Sequence, residues 1–410
     1  MSVAAAEPAG RWTQLVAMSA AVLLVLGTWF SGTAVAPSLV AAWGIDATGV
    51  ALLTIAVQLG FAAGALLLAA SGAPDVLPAR VLITAGALLA TLANAGVALF
   101  ATDLASALPL RFLTGAGIAA VYPVAMKVLA GWFRRERGLA VGVLIGAITV
   151  GSALPHLLRA GIVASDWRGV MLAASAGAAI GALIAAVGVR EGPLAVPAAR
   201  FSPAVAIAAL REPSVRLANL GYLGHMWELY AMWSWIPLFL AASLAVSGSG
   251  DAQVASLVAF AVVAVGGIGC VVAGALADRW GRTTLTIAAM AASGTCAVLS
   301  GLLFGAWPVL LVAVALAWGI TVVADSAQFS TAISELAPPG TAGSALTVQT
   351  AGGFLLTAIT IWGVSLFGPD DPTGWRVAFA ALALGPAVGI WAMWRLRRRP
   401  EAVRMAGGRR

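Results

Sequence analysis

Apolar segments of bilayer length recur about twelve times along this chain, and this recurrence constrains the fold more than any other feature. A membrane-spanning helix needs about 20 predominantly apolar residues to cross a hydrocarbon core about 30 Å thick. The segments are 12–41, 48–71, 80–101, 104–133, 137–163, 168–189, 217–243, 252–277, 282–304, 307–337, 341–366 and 374–393. Only 10% of the residues are charged, against about 25% in soluble domains. We therefore expect an all-α, polytopic membrane protein.

The longest connection between these segments divides them into two sets of six. It is rich in proline and predicts a linker between two six-helix bundles that rock against each other, although an ordinary surface loop would have the same composition. The expected organisation is an N-terminal bundle at 1–189, a linker at 190–216 with a short helix at 202–210, a C-terminal bundle at 217–394 and a basic tail at 395–410.

Arginine is distributed unevenly between the two sides of the predicted bundles. Connections on one side carry Arg80, Arg211 and Arg216 and lead to the basic tail, whereas those on the other carry Asp46 and Asp103. By the positive-inside rule, both termini are predicted to be cytoplasmic, in a multi-pass protein of the plasma (inner) membrane. The net charge of +7 therefore indicates topology and not a nucleic-acid partner.

The seventh apolar segment carries two titratable residues at membrane depth, His225 and Glu228. A charge there costs about 2.5–3.5 kcal/mol on insertion scales. Helical spacing puts both residues on one face, which contains Gly221, His225, Glu228, Met232 and Trp235. We expect this face to line a polar cavity. Glu228 is the predicted proton carrier, and His225 could share that role, because proton affinity changes as the surroundings of the group change.

Other polar residues within the segments are candidates for the same cavity. Asp325 and Gln328 share a face of the tenth segment, and Gln349 and Trp29 lie in the eleventh and first. For Asp325 and Gln349 the alternative is a hydrogen bond between helices, worth about 0.6–1.7 kcal/mol. Lys127 is expected to extend toward the lipid headgroups, so membrane lipid is a predicted partner of the protein.

A G-x-x-x-D-R-x-G-R pattern follows the eighth segment, formed by Gly274, Asp278, Arg279, Gly281 and Arg282. In a six-plus-six protein it resembles the signature loop of the major facilitator superfamily. The resemblance implies charge-assisted contacts that latch one conformation at the cytoplasmic rim. In the corresponding first-half loop only Asp75 matches, because the Arg-x-Gly-Arg portion is missing.

The fourth segment begins with Arg111 and Gly115 in an R-x-x-x-G pattern that is similar to the family's pattern there, with Tyr122 on the same face. The resemblance implies that Arg111 takes part in coupling or binds anionic groups; the alternative is a buried structural arginine paired with backbone carbonyls. The run from Gly131 to Gly138 resembles the branch of cyanate and nitrate/nitrite porters.

Together these features predict a secondary active transporter that moves a small solute, an organic or inorganic anion, by alternating access coupled to protons. The alternatives are a multidrug-type efflux antiporter for amphipathic compounds and a non-transporting membrane receptor. The sequence has no phosphate-binding GxxxxGK[ST] loop and no paired catalytic constellation. We expect no enzyme activity, cofactor or metal site, and the family resemblance implies a monomer.

Overall fold

The computed structural model describes residues 7–134, 136–161, 166–194, 201–367 and 371–410, without the side chain of Arg137. This part of the chain is helical and contains no β-strand. Its helices form twelve successive spans, several of them interrupted. The N-terminal half contains Arg11–Leu26 with Ser31–Ala34 and Ala36–Trp43 (first), Ala47–Ser71 (second), Ala79–Phe100 (third), Leu104–Ala119 with Tyr122–Ala130 (fourth), Arg137–Gly161 (fifth) and Trp167–Gly188 (sixth). The C-terminal half contains Pro213–Val246 (seventh), Ala252–Ala264 with Gly266–Trp280 (eighth), Arg282–Leu302 (ninth), Pro308–Ala324 with Ser326–Leu336 (tenth), Ala342–Leu366 (eleventh) and Pro372–Leu382 with Leu384–Arg397 (twelfth).

Length and composition make eleven of the described spans suitable for crossing a membrane, and the first span consists of shorter apolar pieces. Short helices also occur at Ala73–Val76 and Pro203–Arg211, and a 3₁₀ helix occurs at Pro400–Gly408. The predicted all-α, multi-pass fold is confirmed. The predicted end of the fifth segment at 163 and the linker residues 195–200 lie outside the described residues.

The first span differs most from its prediction, because the expected continuous segment 12–41 is broken after Leu26. The backbone N–H groups of Thr28 and Trp29 bond three residues back, at 3.0 Å each, and the carbonyls of both residues accept hydrogen bonds from Arg111. Non-helical backbone at membrane depth needs such partners. The fourth span therefore supports the break in the first.

Within each bundle, glycines bring pairs of helices into backbone contact. A methyl group added to Gly60 of the second span would lie 1.9 Å from the carbonyl oxygen of Phe112 in the fourth. One added to Gly319 of the tenth span would lie 1.8 Å from the carbonyl oxygen of Val262 in the eighth. These equivalent contacts leave room only for hydrogen, so each bundle contains at least one tightly joined helix pair.

Two seams join the bundles: the second span packs on the eleventh, and the fifth packs on the eighth. The second of these seams is lined by glycine. Methyl groups added to Gly142 and Gly146 would lie 3.1 Å from the carbonyl oxygen of Cys270 and 3.2 Å from that of Gly267. Small residues let the helix backbones approach closely. A larger side chain would therefore push the two bundles apart along this seam.

Replacing Gly142 by valine is expected to destabilise this conformation by about 1–3 kcal/mol through overpacking, which lowers its equilibrium ratio to the other conformations about 5- to 150-fold. In a Met126→Cys variant whose native cysteines are serine, thiol labelling from the cavity opening should slow accordingly. Gly363→Val is the control, because no atom lies within 4 Å of the added group. Equal labelling rates in both variants would contradict the expected strain.

The predicted short helix of the linker is present at Pro203–Arg211. The Ser202 hydroxyl caps it by accepting from the Val205 N–H at 3.4 Å, and the Ser202 N–H donates to the Ser344 hydroxyl of the eleventh span. The linker thereby contacts the C-terminal bundle. Its role in rocking and the exact bundle boundaries stay predictions.

Candidate functional site

A cavity of about 690 Å³ lies between the bundles. Its walls come from the fourth and fifth spans and from the seventh to the eleventh, the ninth contributing only its first residue, Arg282. The charged side chains that line it in the described part of the chain all lie near span ends on one side, where the cavity opens. We call this group the charged rim; it consists of Arg134, Glu136, Asp278, Arg282 and Glu335.

The deep part of the cavity is aromatic. It is lined by Tyr122, Tyr222, Tyr230, Trp233 and Phe354, which include all three tyrosines of the chain. The other polar residues along the walls are uncharged; they are Thr149, Ser326, Gln328, Ser330, Thr331, Ser334 and Thr350. The deep cavity therefore offers ring faces together with hydroxyl and amide groups.

Aromatic contacts between the bundles close the cavity on the side away from the rim. The ring of Trp29 in the first span lies 5.6 Å from Tyr230 and 5.5 Å from Phe354, and Phe61 of the second span lies 4.3 Å from Phe354. Phe30 meets Trp233 edge-on at 5.8 Å. We call this cluster, Trp29, Phe30, Phe61, Tyr230, Trp233 and Phe354, the aromatic seal. Access to the cavity is consequently one-sided.

The fourth span, which carries Arg111, begins with a capping box. The Asp103 carboxylate accepts from the Ser106 N–H at 2.8 Å, and the Ser106 hydroxyl oxygen accepts from the Asp103 N–H at 3.2 Å. Hydrogen bonds from the side chain and backbone of Ser106 lower the pKa of Asp103 below its ordinary value. The charged cap favours the helix N-terminus at this position.

Arg111 is fully buried in the N-terminal bundle, and it does not line the cavity. Its guanidinium donates to five acceptors, all of them uncharged: the carbonyls of Thr28, Trp29 and Leu53, the Ser31 hydroxyl and the Asn94 amide oxygen. Every donor atom of the group is engaged with protein. The geometry matches the structural alternative, a buried arginine paired with carbonyls, and gives no contact with an anionic solute here.

Glu228 is buried within the C-terminal bundle. Its carboxylate accepts from the Trp318 indole N–H at 2.7 Å and from the Ser293 hydroxyl at 2.8 Å. Those partners belong to the tenth and ninth spans, so the carboxylate is enclosed by its own half of the molecule. Charge-assisted hydrogen bonds of this kind lower the cost of a buried carboxylate.

A second titratable pair lies beside it. His225 Nδ1 is 2.8 Å from Asp325 Oδ1, an ion-pair distance without the alignment of a hydrogen bond, and both side chains are buried. Asp325 is close enough to Glu228 for the two carboxyl groups to interact electrostatically. It lies at the break in the tenth span, immediately before Ser326, which lines the cavity. The buried acidic group thus lies directly behind the cavity wall.

The prediction that the face of His225 and Glu228 lines the cavity is wrong for this conformation. The seventh span instead presents its neighbouring face, Tyr222, Met226, Leu229, Tyr230 and Trp233. Helical spacing identifies which residues share a face, but it does not say which face meets the opening. The clustering of two of the three tyrosines on this face is the signal that could have identified it.

The remaining candidates have different environments. Tyr122 and Gln328 line the cavity, whereas Trp29 belongs to the aromatic seal. Gln349 is buried, and neither atom of its amide has a hydrogen-bond partner in the described protein. Of the eight predicted binding or coupling residues, the structure therefore places two in the cavity wall.

The signature loop forms part of the rim. Arg282 donates to both oxygens of Glu335, at 2.7 Å each, and to the Gln328 amide oxygen at 2.8 Å. Asp278 Oδ1 lies 3.6 Å from the same guanidinium. These contacts join the eighth, ninth and tenth spans within one bundle.

The glycines of the loop lie where a larger residue would not fit, because other backbone segments approach them closely. A methyl group on Gly274 would lie 3.0 Å from the carbonyl oxygen of Gly138 in the fifth span. Gly281 has φ +87°, a conformation that favours glycine, and an added methyl there would lie 2.0 Å from the Arg410 oxygen. Arg279 is exposed. The loop glycines therefore serve a tight turn and close packing.

In the first half, Lys127 Nζ donates to the carboxylate of Asp75 and to the carbonyl of Pro74. Lys127 therefore has a protein carboxylate as its partner, and its extension toward the headgroups stays a prediction. Each half has one ion pair between its loop and the end of its fourth helix, with the charges exchanged: Asp75 with Lys127, and Arg282 with Glu335.

The fold is that of known transporters. A bacterial homologue of the human lysosomal transporter Spinster, inward-facing and occupied, is 16% identical with a TM-score of 0.72, over 96% of this chain and 98% of that chain. The xylose transporter XylE from E. coli, partially occluded and inward-open, is 14% identical with a TM-score of 0.74, over 95% of this chain and 98% of that chain. The nucleoside transporter NupG is 14% identical with a TM-score of 0.72, over 93% of this chain and 98% of that chain. No curated protein matches the chain in sequence.

The family model of the Major Facilitator Superfamily matches residues 17–361. This match covers most of the chain and includes the larger part of both bundles, the cavity-lining spans and the signature loop. Transporters of this kind bind small molecules, often together with protons. The chain therefore belongs to the Major Facilitator Superfamily and is a multi-pass membrane transporter, not an enzyme.

Proposed function

We propose that this chain is a secondary active transporter for an uncharged aromatic or amphipathic solute, which it moves by alternating access. The observation that carries the proposal is the deep cavity, where three tyrosines, Trp233 and Phe354 converge and the charged lining groups are confined to the rim. Ring pairs in offset or edge-to-face geometry stabilise a bound aromatic group beyond its burial. Tyrosine and threonine hydroxyls can orient its uncharged polar groups.

This proposal favours the amphipathic alternative over the anion that the sequence suggested. The anion prediction depended on Arg111, whose donors are all engaged with protein. At the rim, Arg282 is neutralised by both oxygens of Glu335. Transport of anions, and the resemblance to the cyanate and nitrate/nitrite porters, stay predictions without a cavity contact that supports them.

The side of the membrane to which the cavity opens follows from topology in this proposal. If the arginine-rich connections face the cytoplasm, as the positive-inside rule predicts, the charged rim is cytoplasmic and this conformation faces inward. The aromatic seal then separates the cavity from the outside. Alternating access requires the seal to part while the rim closes.

We infer further that protons drive the cycle through Glu228, Asp325 and His225. The three groups are buried together behind the cavity wall, and two negative charges so close within the bundle would repel each other. A proton shared among them removes that repulsion. Asp325, at the break of the tenth span, provides the link to the cavity because the following residues line it.

A series of ligands built on one indole ring tests the solute class. N-acetyltryptophanamide is uncharged, tryptamine is a cation and indole-3-acetate is an anion. We expect the uncharged compound to raise the Tm of the purified protein most, since a ligand at 100 times its Kd adds about 2.7 kcal/mol of stability. Greater stabilisation by indole-3-acetate would instead support the anion hypothesis.

The Tyr222→Leu variant should reduce that shift, because Tyr222 lines the cavity. Trp391→Leu is the matched control, since Trp391 is 49% exposed on the outer surface of the twelfth span. An equal loss of the shift in both variants would mean that the indole ring binds nonspecifically to the protein or its detergent.

A further inference from the structure

Three polar side chains in or beside the aromatic seal have no hydrogen-bond partner in the described protein: Gln58, Trp29 and Trp233. Gln58 of the second span is fully buried, and both its amide nitrogen and its amide oxygen are unpaired. The indole Nε1 of Trp29, which is 1% exposed, is unpaired as well. Buried polar groups in native proteins are nearly always hydrogen-bonded, so each exception needs a reason.

Trp29 contacts Tyr230 and Phe354 of the other bundle, and helical spacing places Gln58 on a face that leads to this contact. Gln58 follows Thr54 by one helical turn and precedes Phe61 by nearly one, so the three share a face of the second span. Thr54 bonds to Thr33 of the first span at 2.9 Å, and Phe61 contacts Trp29 at 5.1 Å and Phe354 at 4.3 Å. This face therefore borders the seal that must open during alternating access.

Buried amides with a structural role in the same bundle are fully paired. Asn94 accepts hydrogen bonds from Ser31 and Arg111 and donates to Met171 and Ser175. Gln14 likewise donates to Gly188 and accepts from Arg190. The contrast indicates that Gln58 is not placed to stabilise this conformation.

We propose that Trp29 and Gln58 form a polar solute-binding subsite, which is closed here and exposed when the aromatic seal parts. The inference rests on the proposed function, and it defines the solute more closely. An indole N–H and a carboxamide together supply donors and one acceptor without charge. The matching solute therefore carries an uncharged group with both a donor and an acceptor, such as a carboxamide, next to its aromatic part.

Thiol labelling tests the exposure directly. In vesicles that contain the protein with Cys270→Ser and Cys296→Ser, a membrane-impermeant thiol reagent is added on the face opposite the charged rim. We expect the Gln58→Cys and Phe30→Cys variants to react at least ten times faster than Ala87→Cys, which is in the core of the N-terminal bundle. Labelling of Phe30→Cys alone would overturn the subsite. Labelling of neither would overturn the proposed alternating access itself.

A second comparison tests solute contact. Gln58→Leu should raise the Tm by about 1–2 °C, because an unpaired buried amide is removed, while Gln14→Leu should lower it. The same Gln58→Leu variant should weaken binding of N-acetyltryptophanamide at least tenfold and leave binding of indole, which has no amide, unchanged. A fall in Tm with equal affinity loss for both compounds would assign Gln58 a structural role and overturn the proposal.

Discussion

Replacing Arg111 by leucine is expected to abolish most of the yield of folded protein in the membrane. The substitution leaves the carbonyls of Thr28, Trp29 and Leu53 without their guanidinium donor in a dry interior, at a cost of about 1–3 kcal/mol for each. Three such losses approach the total stability of a typical domain, about 5–15 kcal/mol. The yield of monodisperse protein in detergent and its Tm measure the effect.

Arg111→Lys should have an intermediate effect, because an ammonium group has three donors and cannot reproduce the planar fork of arginine. Arg168→Leu is the matched control, since Arg168 is exposed and makes one backbone hydrogen bond, to the carbonyl of Ala98. If Arg111→Leu instead folded normally and lost only solute binding, the binding role implied by the family resemblance would be restored.

Replacing Glu228 by glutamine is expected to abolish accumulation driven by a pH gradient while leaving solute exchange intact. Glutamine can still accept from Trp318 and contact Ser293, so the packing around the position should change little. It cannot release and rebind a proton, so coupling is lost but alternating access is not. Proteoliposomes loaded with the best-binding indole of the series allow both gradient-driven uptake and exchange to be measured.

Glu212→Gln is the control for this experiment, because Glu212 is an exposed carboxylate at the start of the seventh span. It should leave both rates unchanged. Gradient-driven uptake that survives in Glu228→Gln would remove this residue from the coupling proposal and direct attention to Asp325, the other carboxyl group of the cluster.

The twelve spans could be predicted from the sequence because hydropathy is a property of each segment on its own. The break in the first span could not. Apolar residues continue through Thr28 and Trp29, and the donor that makes the break tolerable, Arg111, lies more than 80 positions later in the chain. The residues around the break do not indicate which distant residue will serve as its partner.

The chemistry of the site was predictable only in part, for the same reason. The sequence identified Glu228 as a carboxylate at membrane depth that lines a cavity, but its partners Ser293 and Trp318 come from two other spans. Their positions decide that the group faces the bundle interior. Tyr122 was predicted, but Tyr222 and Tyr230 were missed, because these two come together with Tyr122 only when the two halves of the chain meet.

The exclusive placement of tyrosine has a practical consequence. Because the chain contains only three tyrosines and all of them line the cavity, biosynthetic incorporation of fluorotyrosine would put fluorine nuclei at the solute pathway and nowhere else. The resulting ¹⁹F NMR spectrum would hold at most a few resonances, free of background from the membrane-facing surface. Their line shapes would report exchange between open and closed forms without any mutation.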